Sequence, residues 1–243
     1  MPATIRKAIV VGASSGIGAA IARRLLAEGA EVAILGRRQA ELEQVSGGRM
    51  KVYAHDVENT DEVPALWERI IADLGGCDTL LYAAGVMPAV IEGEFSFEKD
   101  RQMIAINLVG AMAWMNPAAA HFVAQKSGNL VGISSIAGER GRRGNPGYCT
   151  SKAAFSAYLE SLRNRCSRYG VNVVTIKPGF VDTAMTGGKK DLLWLVSPEV
   201  AAEQSLELVR WNTSEAGFVP RRWWLVALIV RLLPSFIFRR LNF

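Results

Sequence analysis

The sequence predicts an α/β protein built on a doubly wound parallel sheet, three layers deep, with helices on both faces. Two patterns point to it. Short β-branched runs alternate with longer amphipathic stretches along the 243 residues, as βαβ units require. The first run, Lys7 to Val11, leads straight into G-A-S-S-G-I-G at 12–18 and then a helical stretch closed by Gly29. Composition agrees: 50% hydrophobic and 21% charged residues suffice for one buried core and argue against disorder.

The glycine turn is the first candidate site. Gly12, Gly16 and Gly18, with Ser14, Ser15 and Ile17 between them, are spaced G-x-x-x-G-x-G. Glycine lets backbone approach a pyrophosphate closely, and the N-terminus of the following helix faces the anion. The second strand, Glu31 to Leu35, ends in G-R-R and has no acidic residue to take ribose hydroxyls. Arg37 and Arg38, with Ser14, offer a 2′-phosphate site instead, which favours NADP(H) over NAD(H). A third strand, Lys51 to His55, ends at Asp56-Val57, where the carboxylate can reach an adenine amine.

A helix from Asp61 to Leu74 and a fourth strand from Asp78, ending at Ala84-Gly85, come next. A long helical region over about 97–125 carries Asn107 within N-L-V-G. Asparagine on an apolar helix face needs a partner: a nearby carbonyl, or a water in a proton path. The fifth strand, Asn129 to Ile133, delivers Ser135, and a helix over about 146–169 carries Tyr148 and Lys152. Four residues apart, these two share one helix face. An ammonium beside a phenol favours phenolate, so the Tyr148 pKa is expected below its usual value, as an acid–base group at a carbonyl or carbinol oxygen requires. The sixth strand, Asn172 to Lys177, ends in Pro178, Gly179, Val181 and Thr183, the last placed to meet a nicotinamide carboxamide. Residues 184–196 join two central glycines to bulky apolar side chains and read as a mobile lid over substrate. Ser197-Pro198-Glu199 then caps a helix to about Trp211.

Taken together these residues resemble the classical short-chain dehydrogenase/reductase family over roughly 5–220. The motifs are G-A-S-S-G-I-G, D-V at 56–57, A-A-G at 83–85, N-L-V-G at 107–110, I-S-S with Y-x-x-x-K, and P-G-F-V-D-T. The thirteen-residue step to Tyr148 selects Ser135 over Ser134. The resemblance implies a Rossmann-type fold and an NAD(P)-dependent oxidoreductase. It makes Tyr148 the catalytic acid and Ser135 the residue that polarises the carbonyl. Lys152 lowers the tyrosine pKa and holds the nicotinamide ribose, and Asn107 holds a relay water. It also implies a homo-oligomer. Two departures stand out: Ala83 replaces an asparagine common in the family, and the usual closing strand, G-x-x-x-x-x-D-G-G, is missing.

In its place stands a tail, 221–243, after a single domain over 1–220. Trp223 to Val230 is apolar on every face, Arg231 interrupts it and Pro234 ends it. The run is too short to span a bilayer, whereas tryptophans and arginines around apolar residues suit an interfacial anchor. A-G-E-R-G-R-R-G-N at 137–145 and L-P-S-F-I-F-R-R-L at 233–241 resemble decaprenylphosphoryl-2-ketoribose reductases, which act on a keto-sugar carried on a polyprenyl phosphate. On that resemblance Arg140, Arg142 and Arg143 meet the phosphate and the tail meets lipid. The substrate is then a lipophilic or lipid-linked carbonyl; a soluble reductase of small acyl, steroid or xenobiotic ketones, with the tail used in oligomerisation, is the competing reading.

The remaining composition narrows the class. The net charge of +5 is local, concentrated at 140–143 and 221–240. The Ser-Tyr-Lys-Asn set argues against a non-catalytic nucleotide sensor or a nucleic-acid-binding module using those arginines. Two histidines, His55 and His121, with scattered partners offer no metal site, so none is expected. Three cysteines without a C-x-x-C pair, and no signal peptide, suggest a reduced, cytoplasmic protein, and the tail suggests a peripheral place at the inner membrane face.

Overall fold

The computed structural model describes residues 4–91, 93–187, 189, 191–211 and 216–241. Strands and helices alternate from the start: β1 (Lys7–Val11), α1 (Gly16–Ala27), β2 (Glu31–Gly36), α2 (Gln39–Ser46), β3 (Lys51–Ala54), α3 (Val63–Leu74) and β4 (Thr79–Tyr82). The second half continues with α4 (Phe97–Ile104), α5 (Gly110–Gln125), β5 (Gly128–Ile133), α6 (Pro146–Cys166), β6 (Val171–Pro178), α7 (Pro198–Arg210) and β7 (Ala216–Val219). Two short tail helices follow, α8 (Trp223–Leu232) and α9 (Ser235–Phe238). The sheet runs β3-β2-β1-β4-β5-β6-β7, parallel throughout. Its order reverses between β1 and β4, so a crevice opens there at the carboxyl ends of the strands.

Strand alternation divides the core between two faces. In β1, Ala8 and Val10 point to one side with α1, α2 and α7, while Ile9 and Val11 point to the other with α3, α5 and α6. In β2, Val32 and Ile34 take the first side, Ala33 and Leu35 the second. Both faces are covered, which is why these strands read as unbroken apolar runs. Trp114, Phe122, Phe155 and Leu159 are fully buried on the second side, where α6 lies against the sheet.

Three details differ from the sequence reading. The region 97–125 is one rod in outline, but residues Ala105–Val109 form a π-helical turn between α4 and α5, and Asn107 sits inside it. Helix periodicity alone does not reveal such an inserted residue. The fourth strand stops at Tyr82, because the next residues leave the sheet to wrap over the glycine turn: a Cβ at Gly12 (φ +89) would lie 2.3 Å from the Ala84 nitrogen. Finally, a closing strand is present. A-G-F-V at 216–219 pairs with β6 from Thr175↔Ala216 to Pro178↔Val219. Its four residues include a glycine and lie at the sheet edge, so the sequence signal was too weak to separate them from the tail.

A buried ion pair joins this edge to the site loop. Lys177 of β6 donates to Glu139 at 2.6 Å, the side chains being 8% and 1% exposed, and Arg231 of α8 takes the second carboxylate oxygen. Removing one partner of a buried pair strands the other charge. Glu139→Gln, which leaves Lys177 buried without a carboxylate, should lower unfolding free energy by about 3–5 kcal/mol, measured by urea denaturation, whereas the exposed Lys51→Met should leave it near wild type.

Candidate active site

One cavity of about 830 Å³ runs across the switch point and collects most of the predicted residues. At one end Gly12, Ser14, Ser15, Gly16, Ile17 and Gly18 form its floor. Ser15 is the N-cap of α1 but its side chain makes no cap bond, so the helix N-terminus presents its free N–H groups. A Cβ at Gly18 would lie 2.3 Å from the Gly12 carbonyl oxygen, which shows how tightly the turn is wound. These features fit a dinucleotide pyrophosphate.

Arg38 donates from one nitrogen to the Ser14 and Ser15 hydroxyls, at 3.0 and 2.9 Å, so its guanidinium is fixed beside the turn. Arg37 lies 3.8 Å from Asp56, and the Asp56 carboxylate also accepts from the Glu58 N–H at 3.1 Å. Arg37, Arg38, Asp56, Val57, Ala84 and Gly85 all line the cavity. Ala83 donates its N–H to the Val11 carbonyl at 2.7 Å, so the position where the family often carries asparagine is tied by main chain.

Helix α6 supplies the reactive groups. Asn145 caps it, accepting from the Tyr148 N–H at 3.1 Å and donating to the Pro88 carbonyl at 3.2 Å, so cap and tyrosine are set together. Ser134 and Ser135 part ways at the end of β5. Ser134 bonds the Lys152 carbonyl at 3.0 Å and the Ser156 hydroxyl at 2.7 Å, whereas the Ser135 hydroxyl caps the short turn at 136–139 and faces the Tyr148 phenol. The thirteen-residue spacing therefore selects the serine that faces the phenol.

The electrostatics correct one expectation. Lys152 is buried, donates to the Ile133 carbonyl at 2.9 Å, and lies 5.9 Å from the Tyr148 ring centroid. Burial pushes its pKa down to about 8. The Tyr148 phenol is raised rather than lowered: burial dominates, opposed by the Ser135 hydrogen bond and the nearby Arg142 charge. Desolvation of both groups outweighs their proximity, and a phenol held protonated is a proton donor.

Asn107 is fully buried and does not reach the cavity wall. Its amide accepts from the Val86 N–H at 2.8 Å and donates to the Val86 carbonyl and the Ser151 hydroxyl, both at 3.0 Å. Of the two partners the sequence allowed, the main-chain one is present, and it locks the loop after β4 to α6.

Pro178, Gly179, Val181 and Thr183 also line the cavity. Thr183 stands over the glycine turn, its methyl 3.2 Å from where a Gly16 Cβ would be. The lid, 184–196, is pinched at its base by a β-bridge between Val181 and Val196. Gly187 takes a left-handed turn, and Gly188 and Lys190 lie outside the described residues. Met185 brings its sulfur to 3.9 Å from the Tyr148 hydroxyl. With Met87 and Leu192 it gives the cavity an apolar stretch of lining that no motif announced.

The basic cluster is divided. Arg142 lines the cavity with its Nε buried and unpartnered. Arg140 is spent elsewhere: it donates to the Val230 and Leu233 carbonyls and the Ser235 hydroxyl and stacks on Phe238. The expectation that Arg140 meets a substrate phosphate is thereby corrected.

A parallel sheet with a phosphate turn at its switch point, opening onto a Ser-Tyr-Lys cluster, defines a dinucleotide-dependent oxidoreductase. The family model for short chain dehydrogenases matches residues 6–192, and the chain belongs to that family of NAD(P)-dependent oxidoreductases. It is 34% identical over 191 residues to nodulation protein G of Rhizobium sp. (strain N33), covering 77% of this chain and 78% of the relative. It is 36% identical over 187 residues to an uncharacterized oxidoreductase of Myxococcus xanthus (strain DK1622), covering 74% of each. The crystal structure of gox2181 superimposes with a TM-score of 0.82 at 22% identity, over 92% of this chain and 98% of the other, which speaks for the fold alone.

The buried lysine predicts a pH profile. A pKa lowered to about 8 leaves Lys152 charged below that pH and neutral above it. Reductive kcat/KM should be flat from pH 6 to about 8 and then fall about tenfold per unit. A limb at pH 10 or above would assign the loss to the phenol instead.

Proposed function

We propose that the protein is an NADP(H)-dependent ketoreductase whose substrate is a lipophilic or lipid-linked ketone bearing an anionic group near the carbonyl. The reading rests above all on one cavity holding both the Ser135–Tyr148–Lys152 cluster and the Ser14–Arg38 pair. When bound, NADPH supplies hydride to the carbonyl carbon. Tyr148 gives its proton to the carbonyl oxygen, which Ser135 orients. Lys152 holds the ribose and its charge assists the phenol, while Asn107 ties the loop after β4 to α6 through Val86 and Ser151. Because no carboxylate closes β2, Arg38 and the Ser14 hydroxyl take the 2′-phosphate, and Arg37 shares its charge with Asp56.

The substrate class is supported by the cavity lining. Met87, Met185 and Leu192 suit an apolar chain, and Arg142 offers a guanidinium whose Nε is buried and whose charge is felt at the phenol. A polyprenyl-phosphoryl keto-sugar, which the two local resemblances suggest, satisfies both requirements.

Tyr148→Phe should lower turnover by about 10²–10⁴-fold while NADPH binding, read by fluorescence titration, is retained. Arg38→Ala should weaken NADPH by about tenfold or more and leave NADH unchanged; equal losses for both would sink the NADP(H) preference. Across a carbonyl panel, Arg142→Gln should raise KM for phosphorylated or carboxylated ketones by about tenfold or more and leave the KM of neutral ketones unchanged.

A further inference from the structure

The tail is welded to the catalytic domain along one face and left bare along the other. On the inner face Trp223 and Ala227 are buried, and the indole of Trp223 fills the space over Gly179, where a Cβ would lie 2.0 Å from its nitrogen. The same indole meets Phe180 and Trp194 edge to face at 5.6 Å each, and Trp194 is held in a left-handed backbone conformation (φ 55). Arg140 and Glu139 grip the C-terminal end of α8. Gly179 and Phe180 line the catalytic cavity, so α8 is one side-chain layer from it.

The outer face is apolar and uncovered: Trp224 is 53%, Ile229 53%, Leu232 73% and Phe236 57% exposed, with Leu225 and Leu228 beside them. Arg221, Arg222, Arg239 and Arg240 are exposed around it, and residues 216–243 contain no Asp or Glu. A patch of this kind on a protein surface marks an interaction site.

We propose that the outer face of α8 and α9 docks on an anionic lipid bilayer and holds the catalytic cavity about one helix diameter, ~10 Å, from the lipid surface. Charge decides the occupant. A second copy on a two-fold axis would bring the same four arginines together with no carboxylate in the segment to meet them. An anionic leaflet neutralises all four while its acyl boundary takes the indole and aliphatic side chains. At 10 residues, about 15 Å long, α8 lies on the bilayer and does not cross it. The proposal is independent of the substrate reading, since it concerns a surface and not the chemistry.

The test is co-sedimentation of the full chain with large unilamellar vesicles of phosphatidylglycerol and phosphatidylcholine, against phosphatidylcholine alone. Folding is checked by circular dichroism and Tm, so no catalytic readout enters. Wild type should partition to the anionic vesicles at least about tenfold better, and less so at high salt. The double variant Leu228→Asp/Ile229→Asp should lose about tenfold or more of that partition with Tm unchanged, and Arg239→Gln/Arg240→Gln should lose a similar factor. Equal partition to both vesicle types, no partition to either, or an unaltered Asp variant would overturn the proposal. So would a dimer that the Asp substitutions dissociate, in a protein that ignores vesicles; that outcome would give the face to a second copy.

Discussion

The burial of a single ammonium group shapes this site. Moving Lys152 out of water is costly for its charge, and the structure answers with one acceptor, the Ile133 carbonyl at the end of β5. That bond forces α6 down onto the strand terminus, and its neighbours tighten the join. Ser134 takes the Lys152 carbonyl, Ser151 takes Asn107, and a Cβ at Gly138 would lie 2.8 Å from the Lys152 carbonyl carbon. Tyr148, one turn earlier on the same helix, has no freedom left. The phenol is positioned by the demands of its neighbour.

Desolvation also divides the cavity. Its dinucleotide end is polar and partly open, built from main-chain N–H groups, two hydroxyls and exposed arginines, where water and salt screen charge. Its other end is less polar. Methionine and leucine side chains surround a buried phenol and a buried guanidinium nitrogen, so charges there are felt more strongly. The Arg142 field on Tyr148 is an instance: a cation that acts on the donor even before any ligand is bound.

Much of this was legible in the sequence because it rests on local rules. The strand–glycine–helix unit at 7–27, the terminal positions of Asp56 and Pro178, and the four-residue step from Tyr148 to Lys152 are each fixed by short-range geometry. The illegible parts depend on contacts between distant segments. The π-turn carries Asn107, whose side-chain bonds reach Val86 and Ser151, 21 and 44 residues away. Whether the tyrosine pKa rises or falls depends on burial, which spacing does not encode. Strand β7 owes its pairing to β6 and has little propensity of its own, and Arg140 looked like its neighbour Arg142 until the tail was placed against it.

The grip of Arg140 on the tail has an evolutionary corollary. Two of its three acceptors are main-chain carbonyls at the end of α8, groups that any residue carries. The catalytic domain therefore recognises the trajectory of the tail more than its letters. Substitutions on the outward side can accumulate without loosening the attachment, so the bare face is free to be retuned for a different surface while the enzyme beneath it stays the same.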